Sequence, residues 1–284
     1  MCRSIAFATV IFPRGIVFWD TFINSIKNQS FKDFKLVILN DGCDIGNLDT
    51  CNLDVVFIEA KGGIINNRNQ LIFYLIEKKF EWVVFGDCDD YFESNRIQKV
   101  TSFMDTYDLI ANEIVPIDKS IKGEKVFSKL LGTFSEIDLG FIRDKNLFGL
   151  SNVSCNVDYL KNINLNDDLV AADWTLFTKV MMNGAKACFT NETITYYRQW
   201  GENVIGIGNE TKQKIITGIK TKYFHYKFLK DIDAYYEKEF IWIEKLYNKL
   251  LSNDIDNYCN AILNLNKESI FWWENIKNIK DDKN

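Results

Sequence analysis

The sequence predicts an α/β fold in which a mostly parallel sheet is flanked by helices, and three observations support this. Four short apolar runs, rich in β-branched and aromatic residues, lie within about the first 90 residues. Segments with the apolar spacing of amphipathic helices follow the first and the third of these runs. Turn-forming or polar residues end each run. Alternating strands and helices are typical of a parallel sheet that is covered on both faces.

The elements of the first part follow in chain order. The predicted strands are Ile5–Phe12, Lys35–Leu39, Val55–Ile58 and Trp82–Phe85. Two helices are predicted from apolar residues spaced three and four apart: Trp19, Phe22, Ile23 and Ile26 in the first, and Leu71, Ile72, Leu75 and Ile76 in the second.

The later part is less regular. Short strands are predicted at Leu109–Ile114 and Thr193–Arg198, with a loop-rich stretch at Phe127–Gly149. A helix is predicted at Ala171–Asn183, with Gly184 as its C-cap. From residue 206 onward the sequence predicts a C-terminal helical region, in which Phe240, Ile243, Tyr247 and Leu250 share a face.

Composition excludes several functional classes. A net charge of −5 argues against nucleic acid as the main partner, because phosphate binding requires clustered Lys and Arg. The seven cysteines are scattered and lack Cys-x-x-Cys spacing, which indicates reduced thiols in a cytoplasmic protein rather than disulfides or a zinc site. Only one histidine, His225, is present, so a histidine-based metal site or a Ser-His-Asp triad is disfavoured.

Membrane attachment is the remaining question of location. The run Ile5–Phe12 lacks the cleavage site of a secretory signal, and no stretch approaches the ~20 apolar residues of a membrane span. We therefore expect a soluble cytoplasmic protein, with peripheral attachment at the inner face of the membrane as the alternative.

An acidic cluster follows the fourth predicted strand. Asp87-Cys88-Asp89-Asp90 comes directly after Gly86, at the edge of the sheet where open α/β folds bind ligands. Carboxylates so close together repel one another unless a cation lies among them, and oxygen ligands favour Mg²⁺ or Mn²⁺. The cluster predicts a metal-bridged phosphate site; the alternative is a solvated acidic loop. Cys88 is interpreted as a small space-filling residue rather than a metal ligand.

Three other polar residues lie at positions suited to the same chemistry. Asp41, after the second strand, can accept hydrogen bonds from a base or sugar, or it is part of a plain Asp-Gly turn. Arg68, near a helix N-terminus, suits an anionic phosphate, or it is a surface arginine. Asp173 is a candidate general base, or it complements the dipole of its helix.

Taken together, these motifs resemble the family-two glycosyltransferases with the GT-A fold. The resemblance covers about residues 4–205 and keeps the order and separation of six motifs. They are Ser4–Thr9, Asn40-Asp41-Gly42, Asn67-Arg68-Asn69, Asp87-Cys88-Asp89-Asp90, Asp173-Trp174 and Tyr197-Arg198.

The resemblance implies a role for each matching position. Thr9 and Asp41 would contact the nucleobase, typically uracil, and Arg68 would lie near the nucleotide. Asp87 and Asp89 would hold the ribose and the divalent metal, with Asp90 next to them. Asp173 would deprotonate the acceptor hydroxyl. Tyr197-Arg198-Gln199 would belong to a loop that covers the donor.

Two positions depart from the family pattern. The glutamate that usually precedes the base is Ala172 here, so its supporting role is missing or is supplied by Asp167 or Asp168. The histidine that many relatives carry after the Tyr-Arg pair is Trp200 here. Metal affinity or donor choice is therefore expected to differ from those relatives.

The function that the resemblance implies is a metal-dependent, inverting transfer of a sugar from a nucleotide-sugar donor to a hydroxyl of a glycan or lipid-linked acceptor, with a UDP-sugar as the expected donor. Residues 1–205 would form the GT-A domain, with a nucleotide-binding half at 1–100 and an acceptor-side half at 101–205. Residues 206–284 would form the helical region.

The alternative is a catalytically silent protein of the same fold that binds nucleotide-sugar or glycan, which Ala172 and Trp200 favour. A nucleotidyltransferase is disfavoured, because Pro13-Arg14-Gly15 is a poor phosphate loop.

Two aromatic segments near the C-terminus leave alternatives open. Residues 211–230 contain six lysines, no acidic residue and interleaved aromatic side chains, which suits an anionic membrane surface or a solvated face with aromatics packed inward. We favour the second interpretation. Phe271-Trp272-Trp273 marks either a homodimer or membrane contact, or a helix docked onto the core.

Overall fold

The computed structural model describes residues 3–46, 48–118, 121–200, 211–264 and 272–278. The chain forms two compact units. The first comprises Met1–Arg143, Leu147–Asp167 and Leu176–Asn203, and the second comprises Asp144–Asn146, Asp168–Thr175 and Val204–Asn284. The predicted boundary between residues 205 and 206 lies outside the described residues and stays a prediction. Within the described ranges, no helix is both long and apolar enough to span a membrane.

The first half of the first unit is an alternating α/β layer. Its elements are β1 (Ile5–Ile11), α1 (Trp19–Lys27), β2 (Lys35–Asn40), β3 (Val55–Glu59), α2 (Ile64–Glu77) and β4 (Trp82–Phe85). The strands pair in parallel in the order β3-β2-β1-β4, so their carboxyl ends share one edge. These elements confirm the strand-helix alternation that the sequence predicts.

Residues 91–198 add shorter and mixed elements. They are β5 (Tyr91–Phe92), α3 (Arg96–Thr101), β6 (Leu109–Asp118), β7 (Ile121–Lys122), α4 (Ser128–Leu131), β8 (Phe134–Ile137), α5 (Leu139–Ile142), β9 (Val153–Asn156), α6 (Ala172–Met182) and β10 (Ala187–Arg198). The main path of the sheet continues through β4-β9-β6-β10-β5. Here β9 lies between β4 and β6 and runs antiparallel to both. The predominance of parallel pairing therefore holds for the first half, whereas the second half is mixed.

Aromatic side chains fill the core under the first half of the sheet. Phe7 of β1 contacts Phe22 of α1 and Phe92 of β5, with ring centroids 6.1 and 5.3 Å apart. The face of α1 predicted from its spacing, Trp19, Phe22, Ile23 and Ile26, is buried as a set. Gly86 follows β4 where the rings of Phe7 and Phe92 leave no room for a side chain. The backbone that carries the acidic cluster thus rests directly on the core.

The C-terminal helices form most of the second unit. They are α7 (Lys212–Leu229), α8 (Ala234–Leu251) and α9 (Asp256–Leu263), followed by a short 3-10 helix at Trp272–Asn275. Tyr223 of α7 stacks on Tyr247 of α8 with centroids 3.9 Å apart, so aromatic residues of the basic segment pack against a neighbouring helix. The choice between a membrane surface and an inward-packed face for residues 211–230 stays a prediction. Phe271 lies outside the described residues, while Trp273 is buried.

Candidate active site

Three predicted donor-site residues line one cleft at the carboxyl edge of the parallel strands. Thr9 lies in β1, Arg68 in α2 and Asp87 just after β4, and the three border the same small cleft, with a volume of about 20 Å³, in the first unit. Thr9 is buried, and its hydroxyl Oγ1 has no hydrogen-bond partner among the described residues. A buried hydroxyl without a partner is costly, so a ligand that bonds to Thr9 would relieve that cost.

Asp41 lies at the same edge, where β2 ends. The turn after β2 is held by Asn40, whose Oδ1 accepts a hydrogen bond from the Cys43 amide at 2.8 Å. Its Nδ2 donates to the Cys43 carbonyl and to the carboxylate of Glu59. Gly42 contributes the positive φ of +88° that the turn requires. Since Asn40 and Gly42 hold this turn, the carboxylate of Asp41 is not needed to form it.

Asn69, next to Arg68, has a structural role that the sequence did not reveal. Its Nδ2 donates to the Leu165 carbonyl at 2.8 Å, and its Oδ1 accepts from the Leu165 amide at 3.0 Å. The side-chain amide of Asn69 thus bonds to both backbone polar groups of a residue that lies 96 positions later in the chain. This pair fixes α2, and with it Arg68, to the segment at Leu165.

The carboxylates of the acidic cluster differ in environment. Asp90 is almost completely buried; it accepts hydrogen bonds from the hydroxyl of Ser151 and, at 2.7 Å, from the Arg198 amide. Burial, followed by repulsion from Asp89 and Asp87, raises the pKa of Asp90 well above its usual value. Asp90 therefore anchors the end of β10, and both of its oxygens have protein partners.

Asp89 faces the segment that follows β10. Its Oδ2 accepts a hydrogen bond from the indole Nε1 of Trp200 at 2.8 Å, and its carbonyl accepts one from Arg198 Nε at 2.7 Å. Burial raises the pKa of Asp89, and the Trp200 hydrogen bond and the Arg198 charge oppose that rise. The guanidinium of Arg198 lies 4.3 Å from the ring centroid of Phe18, and Trp200 contacts the same ring at 5.4 Å. The residues Arg198 and Trp200 thus cover the acidic cluster.

A buried arginine that no sequence pattern marks lies behind the acidic cluster. Arg96 of α3 is fully buried; its Nη2 donates to the Phe85 carbonyl at 2.7 Å and its Nε to Asn112 Oδ1 at 3.0 Å. Burial lowers its pKa to about 9, while the charges of Asp90 and Asp87 act in the opposite direction. The positive charge of Arg96 partly offsets the negative charge of the acidic cluster. In the sequence alone it is indistinguishable from a surface arginine.

The cluster fits a divalent cation that is shared with phosphate oxygens. Within the described residues, no group of three or more His, Cys, Asp or Glu side chains is arranged to hold a metal unaided. Asp87 and Asp89 are half-buried, and Mg²⁺ is commonly bound through one or two carboxylates plus substrate phosphates. The thiol of Cys88 is fully buried, and burial raises its pKa well above the usual value, so it is a space-filling thiol rather than a thiolate ligand.

The candidate base is held by a residue of its own unit. Asp173 lies in the first turn of α6; its Oδ1 accepts from the Trp174 amide at 3.0 Å and its Oδ2 from Asn146 Nδ2 at 3.1 Å. Asp167 and Asp168, the predicted substitutes for the missing glutamate, are exposed. Asn146 and Asp173 are 27 positions apart in the chain, so no local sequence pattern predicts their hydrogen bond.

Comparison with solved structures identifies the fold. S. aureus TarS residues 1–349 match at a TM-score of 0.62 and 15% identity, over 93% of this chain and 76% of that one. A mannosyltransferase from Pyrobaculum calidifontis, PcManGT, matches at 0.58 and 12%, over 80% and 64%. GalNAc-T7 matches at 0.53 and 11%, over 88% and 57%. The chain has the GT-A fold.

The GT-A fold confirms the prediction of fold class, and with it the resemblance to GT-A glycosyltransferases at the level of fold. No protein-family model and no curated protein matches the sequence. At such low identity the likeness concerns architecture, and the roles of individual residues stay predictions.

Proposed function

We propose that this protein is a metal-dependent, inverting glycosyltransferase that uses a nucleotide-sugar donor, with a UDP-sugar as the first candidate. The observation that carries the proposal is the convergence of Thr9, Arg68 and Asp87 on one cleft at the carboxyl edge of the parallel strands. The solved structures support it, since TarS is described in complex with UDP-GlcNAc, PcManGT with GDP-Man and Mn²⁺, and GalNAc-T7 with UDP, GalNAc and Mn²⁺.

The donor residues have distinct proposed roles. Thr9 and Asp41 contact the base, and the Thr9 hydroxyl has no hydrogen-bond partner within the described part of the chain. Arg68 and Arg198 bring positive charge to the diphosphate. Asp87 and Asp89 hold the ribose and the metal. A bound Mn²⁺ or Mg²⁺ would neutralise charge on the departing diphosphate.

Asp173 is the proposed general base. The Asn146 amide donates to its Oδ2 and the Trp174 amide donates to its Oδ1, and the two bonds hold the carboxylate in one orientation. It would take the proton of the acceptor hydroxyl, which we propose belongs to a glycan or lipid-linked sugar. Membrane contact through residues 211–230 and homodimer formation stay predictions.

The donor site is tested by calorimetric titration of the protein with UDP, GDP, TDP and CDP, each with and without Mn²⁺. We expect Mn²⁺-dependent binding of one diphosphate and its loss in Asp89→Ala. The matched control is Asp54→Ala, an exposed aspartate paired with Lys35 just before β3, which lies at the amino edge of the strands. Absence of binding to all four by the folded protein would refute the proposed donor site.

Catalysis is tested separately from binding, because the alternative is a silent binding protein of the same fold. The Trp200 hydrogen bond to Asp89 is the observation that favours that alternative, since it occupies an oxygen of a proposed metal ligand. Asp173→Asn should lower the turnover of UDP-sugars, followed as released UDP, by roughly 10²–10⁴-fold. It should leave the Kd of UDP with Mn²⁺ unchanged. Equal turnover in wild type and Asp173→Asn would exclude Asp173 as the base.

A further inference from the structure

The two residues after Asp173 are joined to the only histidine of the chain. Thr175 Oγ1 forms a hydrogen bond with His225 Nδ1 at 2.8 Å. The ring of Trp174 stacks on the His225 ring, with centroids 3.6 Å apart and planes within 8° of parallel. All three side chains are buried. His225 of α7 therefore contacts two consecutive residues in the first turn of α6, all within the second unit.

Trp174 connects this contact to the candidate base. Its backbone amide donates to Asp173 Oδ1, so the position of the Trp174 residue determines where that donor points. The first turn of a helix lacks intrahelical partners for its amides and is prone to fray. A stacked indole and a hydrogen-bonded Thr175 oppose fraying at this turn.

We propose that His225 is a positioning residue that holds the first turn of α6 so that the carboxylate of Asp173 keeps a fixed orientation. The inference rests on the proposed function, since it concerns the base of that reaction. It assigns a use to a buried polar side chain that donor binding and proton removal leave unexplained.

The surroundings of His225 explain why an imidazole suits this place. The rings of Tyr226 and Tyr236 lie 5.5 and 5.7 Å from it, so aromatic groups enclose the imidazole. The hydrogen bond to Thr175 then selects one ring orientation within that enclosure. A phenylalanine would keep a ring against Trp174, but it is larger than the imidazole and would lack the bond to Thr175 that fixes the rotation of the ring.

The first test compares two threonine substitutions in the same helix. Thr175→Val removes the hydroxyl that bonds to His225, whereas Thr178→Val removes a buried hydroxyl that has no hydrogen-bond partner among the described residues. Both changes exchange a hydroxyl for a methyl, so their packing effects are matched. We expect Thr175→Val to lower kcat for UDP-sugar turnover by roughly 10- to 100-fold with the donor KM unchanged. Thr175→Ser should restore kcat, and Thr178→Val should leave it near that of wild type.

The second test does not depend on turnover. Because the chain has one histidine, a ¹⁵N-labelled sample gives one set of imidazole signals. We expect the ring signals of His225 to shift in Asp173→Asn and to stay unchanged in Asp54→Ala, which lies in the other unit.

The outcomes separate this inference from the proposed function. If the wild type binds no nucleoside diphosphate, the proposed function fails, and the NMR comparison still tests the connection between His225 and Asp173. If the wild type turns over UDP-sugar but Thr175→Val and Thr178→Val have equal kcat, the positioning role is wrong. Unchanged histidine signals in Asp173→Asn would overturn it as well.

Discussion

Gly86 allows the backbone before the acidic cluster to pack against the core, because it has no side chain. A Cβ at this position would lie 2.5 Å from ring atoms of both Phe7 and Phe92, so alanine would push the backbone away from the core. We expect Gly86→Ala to lower the free energy of unfolding by about 1–3 kcal/mol, as overpacking in a core does. Because Asp87 is the next residue, the affinity for UDP with Mn²⁺ should fall too.

Urea unfolding and the same calorimetric titration measure both effects. The control is Gly46→Ala, where the nearest atom to a new Cβ is Asp44 Oδ1 at 3.4 Å, an ordinary contact. Equal stability of the two variants would show that the two phenylalanine rings yield without cost.

Individual site residues differ in how visible they are in the sequence. Asp87 and Asp89 could be found because they follow a continuous apolar run, which predicts a buried strand and places them at the edge of the sheet where open α/β folds bind ligands. Arg96 and Asn146 could not, because burial and a partner far along the chain define their roles. Periodicity describes neighbours three or four residues apart and says nothing about such contacts.

Strands and helices also differ in how well the sequence predicts their bounds. Strand β4 matches its predicted bounds because its apolar run is continuous and ends at a glycine. Strand β10 is longer than predicted, since polar residues interrupt it at Asn191-Glu192, where its register with β6 shifts. The stretch Phe127–Gly149, predicted as loop-rich, contains α4, β8 and α5, each of four residues. Elements of that length are too short for periodicity to identify.

A buried carboxylate explains how one of these short elements is held. Glu113 of β6 is fully buried and accepts hydrogen bonds from the amides of Val126, Phe127 and Ser128, at 3.1, 2.8 and 2.8 Å. It also accepts one from the Ser128 hydroxyl. These amides precede or begin α4, where backbone donors lack helical partners. Hydrogen bonds to the side chain of Glu113 therefore fix the start of α4.

At the scale of the whole molecule, architecture persists where sequence identity does not. The chain reaches a TM-score of 0.62 with TarS at 15% identity. Burial pattern and turn chemistry can be met by many residue combinations, so a fold tolerates extensive exchange in its core. The fold therefore could be predicted from pattern, whereas the ligands that a fold binds depend on loops whose residues are free to vary.

The stability of the folded chain should depend on pH through its buried histidine. Burial, with added repulsion from Lys222, holds the pKa of His225 well below 6.5. In the unfolded chain the imidazole gains a proton near pH 6.5. Below that pH the unfolded state binds more protons than the native state, so stability falls by about 1.4 kcal/mol per pH unit until the native ring titrates. Above pH 6.5 this contribution is fully present.

The variant His225→Phe isolates that contribution, because it keeps a ring against Trp174 and removes the titrating group. Lys222, with its pKa lowered to about 8, stays protonated from pH 5 to 7 in the native state, and Asp90 is common to both proteins, so neither alters the difference. Urea unfolding at pH 5, 6, 7 and 8 should give a larger free energy of unfolding for wild type than for His225→Phe. The difference between the two should be constant above pH 6.5 and become smaller below it. A difference that stays constant down to pH 5 would mean that the imidazole takes up its proton equally in both states. His225 would then be accessible to water in the native protein, and the enclosure by Trp174 and the two tyrosines could not account for its place in the fold.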